Sequence, residues 1–266
     1  MHHLHQLLFT SHIATGLVAI IAFWVPVATR KGSTWHVRAG RFYAFSMYGV
    51  VASAFLMCVM VLLDPIGIRA PARNLDADTA YAVAAQSRLF ASFLLMLSLL
   101  VFSSLRHGLL ALRVSRDPLS LSGRGHRALL LGMGLVSLLV GWQGIEAGQI
   151  LLIVFAVLGA TGAVNMYRET LKTDWNRRSA IVAHLNGLIG TGIGAYTAVF
   201  AFGGSRLLDQ LLPGQWQVVP WVLPAIIGTL AIRRQRRKYL APRPTGRAPG
   251  STQAGPTQPS PQGAGA

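Results

Sequence analysis

The chain has 266 residues, of which 52% are hydrophobic and only 12% are charged, and its formal net charge is +16. Soluble domains carry about 25% charged residues, so this composition excludes an ordinary soluble domain, and with it a soluble nucleic-acid-binding protein. A mean hydropathy of +0.47 and apolar stretches of about 20 residues indicate a helical protein that crosses a lipid bilayer several times.

The apolar stretches predict an all-α transmembrane bundle of about seven spans. In chain order they are 7–27, 42–63, 86–105, 128–145, 148–167, 179–203 and 215–232. The fourth and fifth spans are separated by a turn near 146–148, because together they are too long for one crossing. The transmembrane domain is therefore predicted to cover residues 1–240. Residues 241–266, rich in Pro, Gly, Ser, Thr and Gln, are predicted to form a disordered tail.

The basic residues alternate between the predicted loops. Of the 24 Lys and Arg residues, all but Arg69, Arg73, Arg88 and Arg206 fall on one side. Short cytoplasmic loops retain Lys and Arg, so this asymmetry predicts that the N-terminus lies outside and the C-terminus inside. The cluster at 233–239 is interpreted as an anchor for the last span, with binding of anionic lipid headgroups as the alternative. The oligomeric state stays open.

Several short motifs carry a resemblance to a known family. They are HIATGLVAIIAF (12–23), RKGSTWHVRAGRFYAFSM (30–47), AHLNGLIGTGIGAYTAVFAF (183–202) and WVLPAIIGT (221–229). In this order they resemble an uncharacterised family of bacterial multi-pass membrane proteins, a domain-of-unknown-function group. The matching positions are His12, Gly16, Lys31, Gly32, His36, Gly40, Arg41, Tyr43 and His184. The sequence departs from the pattern at Val37, where an Arg is expected. The resemblance implies the fold and a location in the bacterial cytoplasmic (inner) membrane, but no activity.

Polar side chains inside the spans are the candidates for function, because burying them in hydrocarbon is costly. Four of them fall in the predicted outer half: His12, Arg88, Gln143 and Glu146. They are predicted to outline a pocket that binds or transports a small solute or a proton. In the alternative interpretation, Arg88 reaches the lipid headgroups and Glu146 lies in water.

The histidines of the inner half give a second hypothesis, a b-type haem with His107, His184 and His36 as candidate ligands. Such a haem needs two imidazoles at nearly one level on facing helices. His12 and His184 differ by about 18 Å in predicted depth and fail this test, whereas His107 and His184 differ by about 5 Å. His36 with His184 is possible if the loop folds inward. Alternatively, His107 marks a helix interface and His184 bonds a backbone carbonyl. A structural or regulatory subunit is the third hypothesis.

Small residues in the sixth span predict close helix packing, since they let helix backbones approach where lipid gives no hydrophobic drive. The positions are Gly187, Gly190 and Gly194. The sequence contains no Ser-His-Asp order, no HExxH, no CxxC and no phosphate loop. No catalytic residue and no metal site is therefore predicted, and whether the protein is an enzyme stays open.

Overall fold

The structure, a computed structural model, describes residues 1–71, 74–114, 116–117, 119–203 and 219–240. Over these ranges the chain is helical and contains no strand. The helices are α1 (His2–Ala28), α2 (Thr34–Leu63), α3 (Pro65–Arg69), α4 (Ala77–Ala111), α5 (Arg124–Glu146), α6 (Ile150–Glu169), α7 (Arg177–Ala198) and α8 (Val219–Leu240). A π-helical turn, Val199–Gly203, extends α7.

Five helices, α1, α2, α4, α5 and α6, are long and apolar enough to cross a membrane. Their outer faces carry large apolar side chains such as Ile21, Phe45 and Leu135, which are 72%, 77% and 68% exposed. Apolar surfaces of this extent are stable in lipid but not in water. Over the described residues, the prediction of an all-helical protein is confirmed, and its five long apolar helices agree with a membrane protein.

The last two predicted spans coincide with α7 and α8 over the described residues. The apolar character of α7 is interrupted by His184 and Asn186, and α8 ends in the basic cluster at 233–238. The total of seven spans and their orientation therefore stay predictions. The tail at 241–266, Trp216 and the first residues of the last predicted span lie outside the described residues, so the two-part division of the chain also stays a prediction.

Polar side chains fix the starting points of the long helices. Ser33 precedes α2, and its hydroxyl oxygen accepts the N–H of His36 at 3.2 Å. Asp76 precedes α4 and accepts both the N–H of Thr79, at 2.9 Å, and its hydroxyl, at 2.7 Å. These bonds from Thr79 lower the pKa of the Asp76 carboxyl. Asn176 begins α7 with a capping box. Such caps satisfy the unpaired N–H groups of the first turn.

The helix α4 is the centre of the bundle. It packs against α2 and α7 on one side and against the α5–α6 hairpin on the other. The helices α1, α2, α4 and α7 form a closed four-helix ring, because each packs against the next and α1 also packs against α7. Within this ring α2 and α7 stand on opposite sides. The last helix, α8, packs on the outside of the ring against α7.

Two glycines bring α4 and α7 into backbone contact. A Cβ atom at Gly187 would lie 2.6 Å from the carbonyl oxygen of Ser104 and 2.8 Å from the Cα of Gly108. A Cβ at Gly194 would lie 3.3 Å from the Val101 side chain, and one at Gly190 would meet no atom within 4 Å. Of the three glycines predicted to pack, Gly187 is therefore the one at the closest helix contact.

One end of the bundle is strongly basic. Here residues 29–33, 112–123 and 170–176 connect consecutive helices. The positions that give this end its charge include Arg30, Lys31, Arg113, Arg116 and Lys172. We call it the basic end. The helices α2 and α7 both begin there, so they run in the same direction through the ring.

Candidate functional site

The basic segment after α1 closes the C-terminus of that helix. Lys31 Nζ donates to the carbonyl oxygens of Pro26, at 2.7 Å, and Val27, at 3.0 Å. The Nδ1 of His36 lies 3.1 Å from the same Pro26 oxygen. The last carbonyls of a helix have no partner within it, so these contacts satisfy groups that would otherwise be left without one at the membrane boundary. Two residues of the family-like motif thus have a local structural role.

The hydrogen bonds of His36 and His184 fix which nitrogen of each ring is available. The Nδ1 of His184 lies 3.0 Å from the carbonyl oxygen of Gly108. A carbonyl oxygen only accepts, so in the neutral ring Nδ1 carries the hydrogen and Nε2 carries the lone pair, for both histidines. Histidines that ligate metals are held in this way, with the other ring N–H donated to a carbonyl or carboxylate.

His36 and His184 lie at the same level of the ring. The hydroxyls of Tyr43 on α2 and Thr191 on α7 are 2.8 Å apart, so these two residues mark one level of the four-helix ring. His36 precedes Tyr43 by seven residues, and His184 precedes Thr191 by seven. Seven residues are close to two helical turns, so each histidine lies about 10 Å nearer the basic end, on the same helix face. The two rings are within electrostatic range of each other.

The surface of α2 beside His36 is open. Gly40 follows His36 by four residues and precedes Tyr43 by three, so all three share one face of the helix. Further along this face Tyr43 and Met47 are buried, at 2% and 1% exposure. A Cβ at Gly40 would nevertheless meet no atom within 4 Å. Space is therefore present between the level of the histidines and that of the Tyr43–Thr191 bond.

His107 has partners of its own. Its Nδ1 lies 3.1 Å from His126 Nε2, and its Nε2 lies 2.8 Å from Glu169 Oε2. Both ring nitrogens are therefore engaged at the α4–α5–α6 interface. The structure thus joins His107 to His126 and Glu169, while His184 bonds the backbone carbonyl of Gly108.

The four candidates of the predicted outer half lie in separate places. His12 Nδ1 is 3.1 Å from both the Val50 carbonyl oxygen and the Ser53 hydroxyl, at the α1–α2 contact. Arg88 Nε donates to the carbonyl oxygen of Leu62 at 3.2 Å.

On α5, Gln143 Oε1 is buried without a hydrogen-bond partner among the described residues, and Glu146 is exposed. In the part of the chain that the structure describes, no hydrogen bond or ion pair joins His12, Arg88, Gln143 and Glu146 to one another.

His126 and Glu169 were missed by the sequence analysis because they resemble ordinary polar residues at the borders of spans. Each lies two residues beyond the basic-end limit of a predicted span, and so does His107. This shared level along the bundle was the signal by which the sequence could have grouped the three residues. Nothing in the residue pattern indicated that the three side chains face one another.

Comparison of the chain with protein-family models, with curated proteins and with solved structures finds no match. The resemblance to a family of bacterial membrane proteins therefore stays a prediction.

Proposed function

We propose that the chain is a seven-span protein of the bacterial cytoplasmic membrane, of the family that its motifs resemble, with the basic end in the cytoplasm. Seven described helices have at least 20 residues, which is about the length needed to cross the hydrocarbon core. The distribution of Lys and Arg supports the orientation. Binding of anionic lipid at 233–239 is part of the same proposal, since a juxtamembrane basic cluster attracts such lipids.

Fusions of topology reporters test the orientation. Green fluorescent protein fused after residue 240 is expected to fluoresce, and alkaline phosphatase at the same point is expected to be inactive. Alkaline phosphatase inserted between α3 and α4 is expected to be active, because that segment lies at the opposite end. An active phosphatase after residue 240 would refute the orientation.

For the activity, we propose that His36 and His184 would hold a b-type haem, which would make the protein a membrane redox protein. One observation carries the proposal: two imidazoles at one level, on opposite helices of the four-helix ring, each hold Nδ1–H on a carbonyl oxygen and keep the Nε2 lone pair available. Haem iron with two histidine ligands transfers single electrons and has no open position for a substrate.

The surroundings of the two histidines are compatible with this ligand. A Cβ at Gly40 would meet no atom within 4 Å, so the face of α2 beside His36 leaves space for a ligand. Lys31 is within electrostatic range of His184, and Arg38 is exposed at the same end. These cations would balance the negative charge of haem propionates, which ordinarily lie at the membrane boundary.

An absorption spectrum tests the proposal. The protein, expressed with ample haem supply and purified in detergent, is expected to show a Soret band and the sharp reduced bands of six-coordinate haem. His36→Ala and His184→Ala are each expected to abolish them. Gly40→Leu is expected to lower the haem content while leaving both ligands in place. His3→Ala changes an exposed imidazole and serves as the control. A featureless wild-type spectrum, or a full Soret band in His184→Ala, would overturn the proposal.

A solute- or proton-binding role around His12 remains the second candidate. The Nδ1 of His12 lies 3.1 Å from the Val50 carbonyl oxygen, so its Nε2 also keeps a lone pair in the neutral ring. The third hypothesis, a structural or regulatory subunit, predicts neither a haem spectrum nor a ligand at His12.

A further inference from the structure

A buried chain of three titratable side chains connects α4, α5 and α6 at the basic end. His107 and His126 are each 2% exposed, whereas the Glu169 side chain keeps 27% of its surface in contact with the surroundings. The bonds from Glu169 Oε2 to His107 Nε2, at 2.8 Å, and from His107 Nδ1 to His126 Nε2, at 3.1 Å, connect this accessible point to two buried imidazoles at the same level of the bundle.

The bonding partners determine where the protons lie when Glu169 is ionised. The carboxylate only accepts, so the Nε2 of His107 carries its hydrogen. The Nδ1 of neutral His107 then has a lone pair and accepts the Nε2–H of His126. The Nδ1 of His126 is then left with a lone pair that can accept a proton.

The inner end of this chain has no partner among the described residues. His126 Nδ1 is buried and unbonded, and so is the hydroxyl of Ser103, a residue that is fully buried. Ser103 lies one turn before His107 on the same face of α4, so it is one turn deeper in the bundle. Buried polar atoms without a partner are rare in proteins and cost about 1–3 kcal/mol each. Two such atoms, one at the end of this hydrogen-bonded chain and one a helical turn from His107, point to a ligand that binds there.

We propose that this ligand is the proton and that Glu169, His107 and His126 form a proton relay between the bundle interior and the water at the basic end. A hydronium ion that reaches His126 from the bundle interior gives its proton to Nδ1, so that one O–H bond breaks and one N–H bond forms. The Nε2 proton of His126 passes to His107 Nδ1, and the Nε2 proton of His107 passes to Glu169, which releases it to water. One proton enters and one leaves, and the relay resets when both rings turn over. The relay is independent of the haem site and goes beyond it.

The charged groups around the relay favour transfer over storage. His126 is only 2% exposed, and burial disfavours a lasting imidazolium there. On α4, Arg106 adds a positive charge near this ring. On α5, the guanidinium of Arg127 is held by Thr170, with Nη2 donating to the Thr170 carbonyl oxygen at 2.9 Å. On α6, Glu169 is the acceptor. The proton is therefore drawn toward the carboxylate.

Exchange of the imidazole N–H protons with water tests the relay directly. In the full-length protein with ¹⁵N-labelled histidine, NMR is expected to find neutral His126 with its hydrogen on Nε2, exchanging with bulk water despite its burial. Glu169→Gln keeps a similar side-chain shape, but its amide cannot take a proton near neutral pH. It is expected to slow the His126 exchange by at least about tenfold, as loss of a proton-transfer group does elsewhere.

Two further variants make the outcome decisive. His107→Gln interrupts the chain at its middle and is expected to slow His126 exchange in the same way, so the test does not depend on one variant folding. Asp174→Asn removes an exposed carboxylate from the same end and is expected to leave exchange unchanged. Equal exchange in wild type and Glu169→Gln, equal slowing by Asp174→Asn, or no measurable exchange in the wild type would each overturn the relay.

Discussion

Gly187→Ala is expected to lower the stability of the bundle by about 1–3 kcal/mol, which is the usual cost of forcing an extra methyl group into a packed site. The added Cβ would lie 2.6 Å from the Ser104 carbonyl oxygen and 2.8 Å from Gly108 Cα. Both are backbone atoms of α4, so the two helices must move apart. Thermal unfolding in mild detergent, followed by circular dichroism, should show a clearly reduced midpoint.

Gly190→Ala is the matched control, because it adds the same methyl group to the same helix. At Gly190 the new Cβ would meet no atom within 4 Å. Alanine is favoured over glycine inside a helix by about 0.5–1 kcal/mol, so this variant is expected to be neutral or slightly more stable. Equal losses of stability at the two positions would contradict the packing of α4 on α7 described above.

His107→Leu is expected to destabilise the protein by about 1–3 kcal/mol, the cost of leaving a buried polar group without its partner. The substitution removes the acceptor of His126 Nε2–H, and His126 is only 2% exposed. Glu169 reaches the surface with part of its side chain and can find other partners. The same unfolding measurement gives the effect.

The double variant His107→Leu/His126→Leu is expected to recover part of that loss. It removes both buried polar groups together, and apolar replacement of a whole buried polar pair is often close to neutral. His3→Leu, at an exposed position, is expected to have no effect. If the loss of stability in the double variant equals the sum of the losses in His107→Leu and His126→Leu alone, the two imidazoles do not interact in the folded state.

Hydropathy predicted the positions of the long helices but not their full lengths. The second predicted span begins at residue 42, whereas α2 begins at Thr34, and the third begins at 86, whereas α4 begins at Ala77. In both cases a polar cap, Ser33 or Asp76, starts the helix two turns or more before its sequence becomes apolar. A hydropathy window detects the part of a helix that suits lipid and misses the capped polar turns.

The candidate sites show what one sequence leaves undetermined. Depth along a span follows from residue counting, and it placed His184 and His107 in the inner half. The direction in which a side chain points depends on helix rotation and on which helices are neighbours, and neither can be read from apolar stretches with little amphipathic character. For this reason the sequence predicted His36 and His184 as candidates but gave no indication of the His107–His126–Glu169 contacts.

The central position of α4 has a consequence for how the protein is made. All three helices of the Glu169–His107–His126 chain lie in one continuous stretch, residues 77–169, so this part can assemble as soon as it leaves the ribosome. The ring cannot close until α7 has been synthesised. Thr191 on α7 follows Tyr43 on α2, its hydrogen-bond partner, by 148 residues. A nascent chain that stops before α7 therefore contains α1 and α2 without the helix that completes the ring. Such truncated chains should be preferred substrates of membrane quality-control proteases.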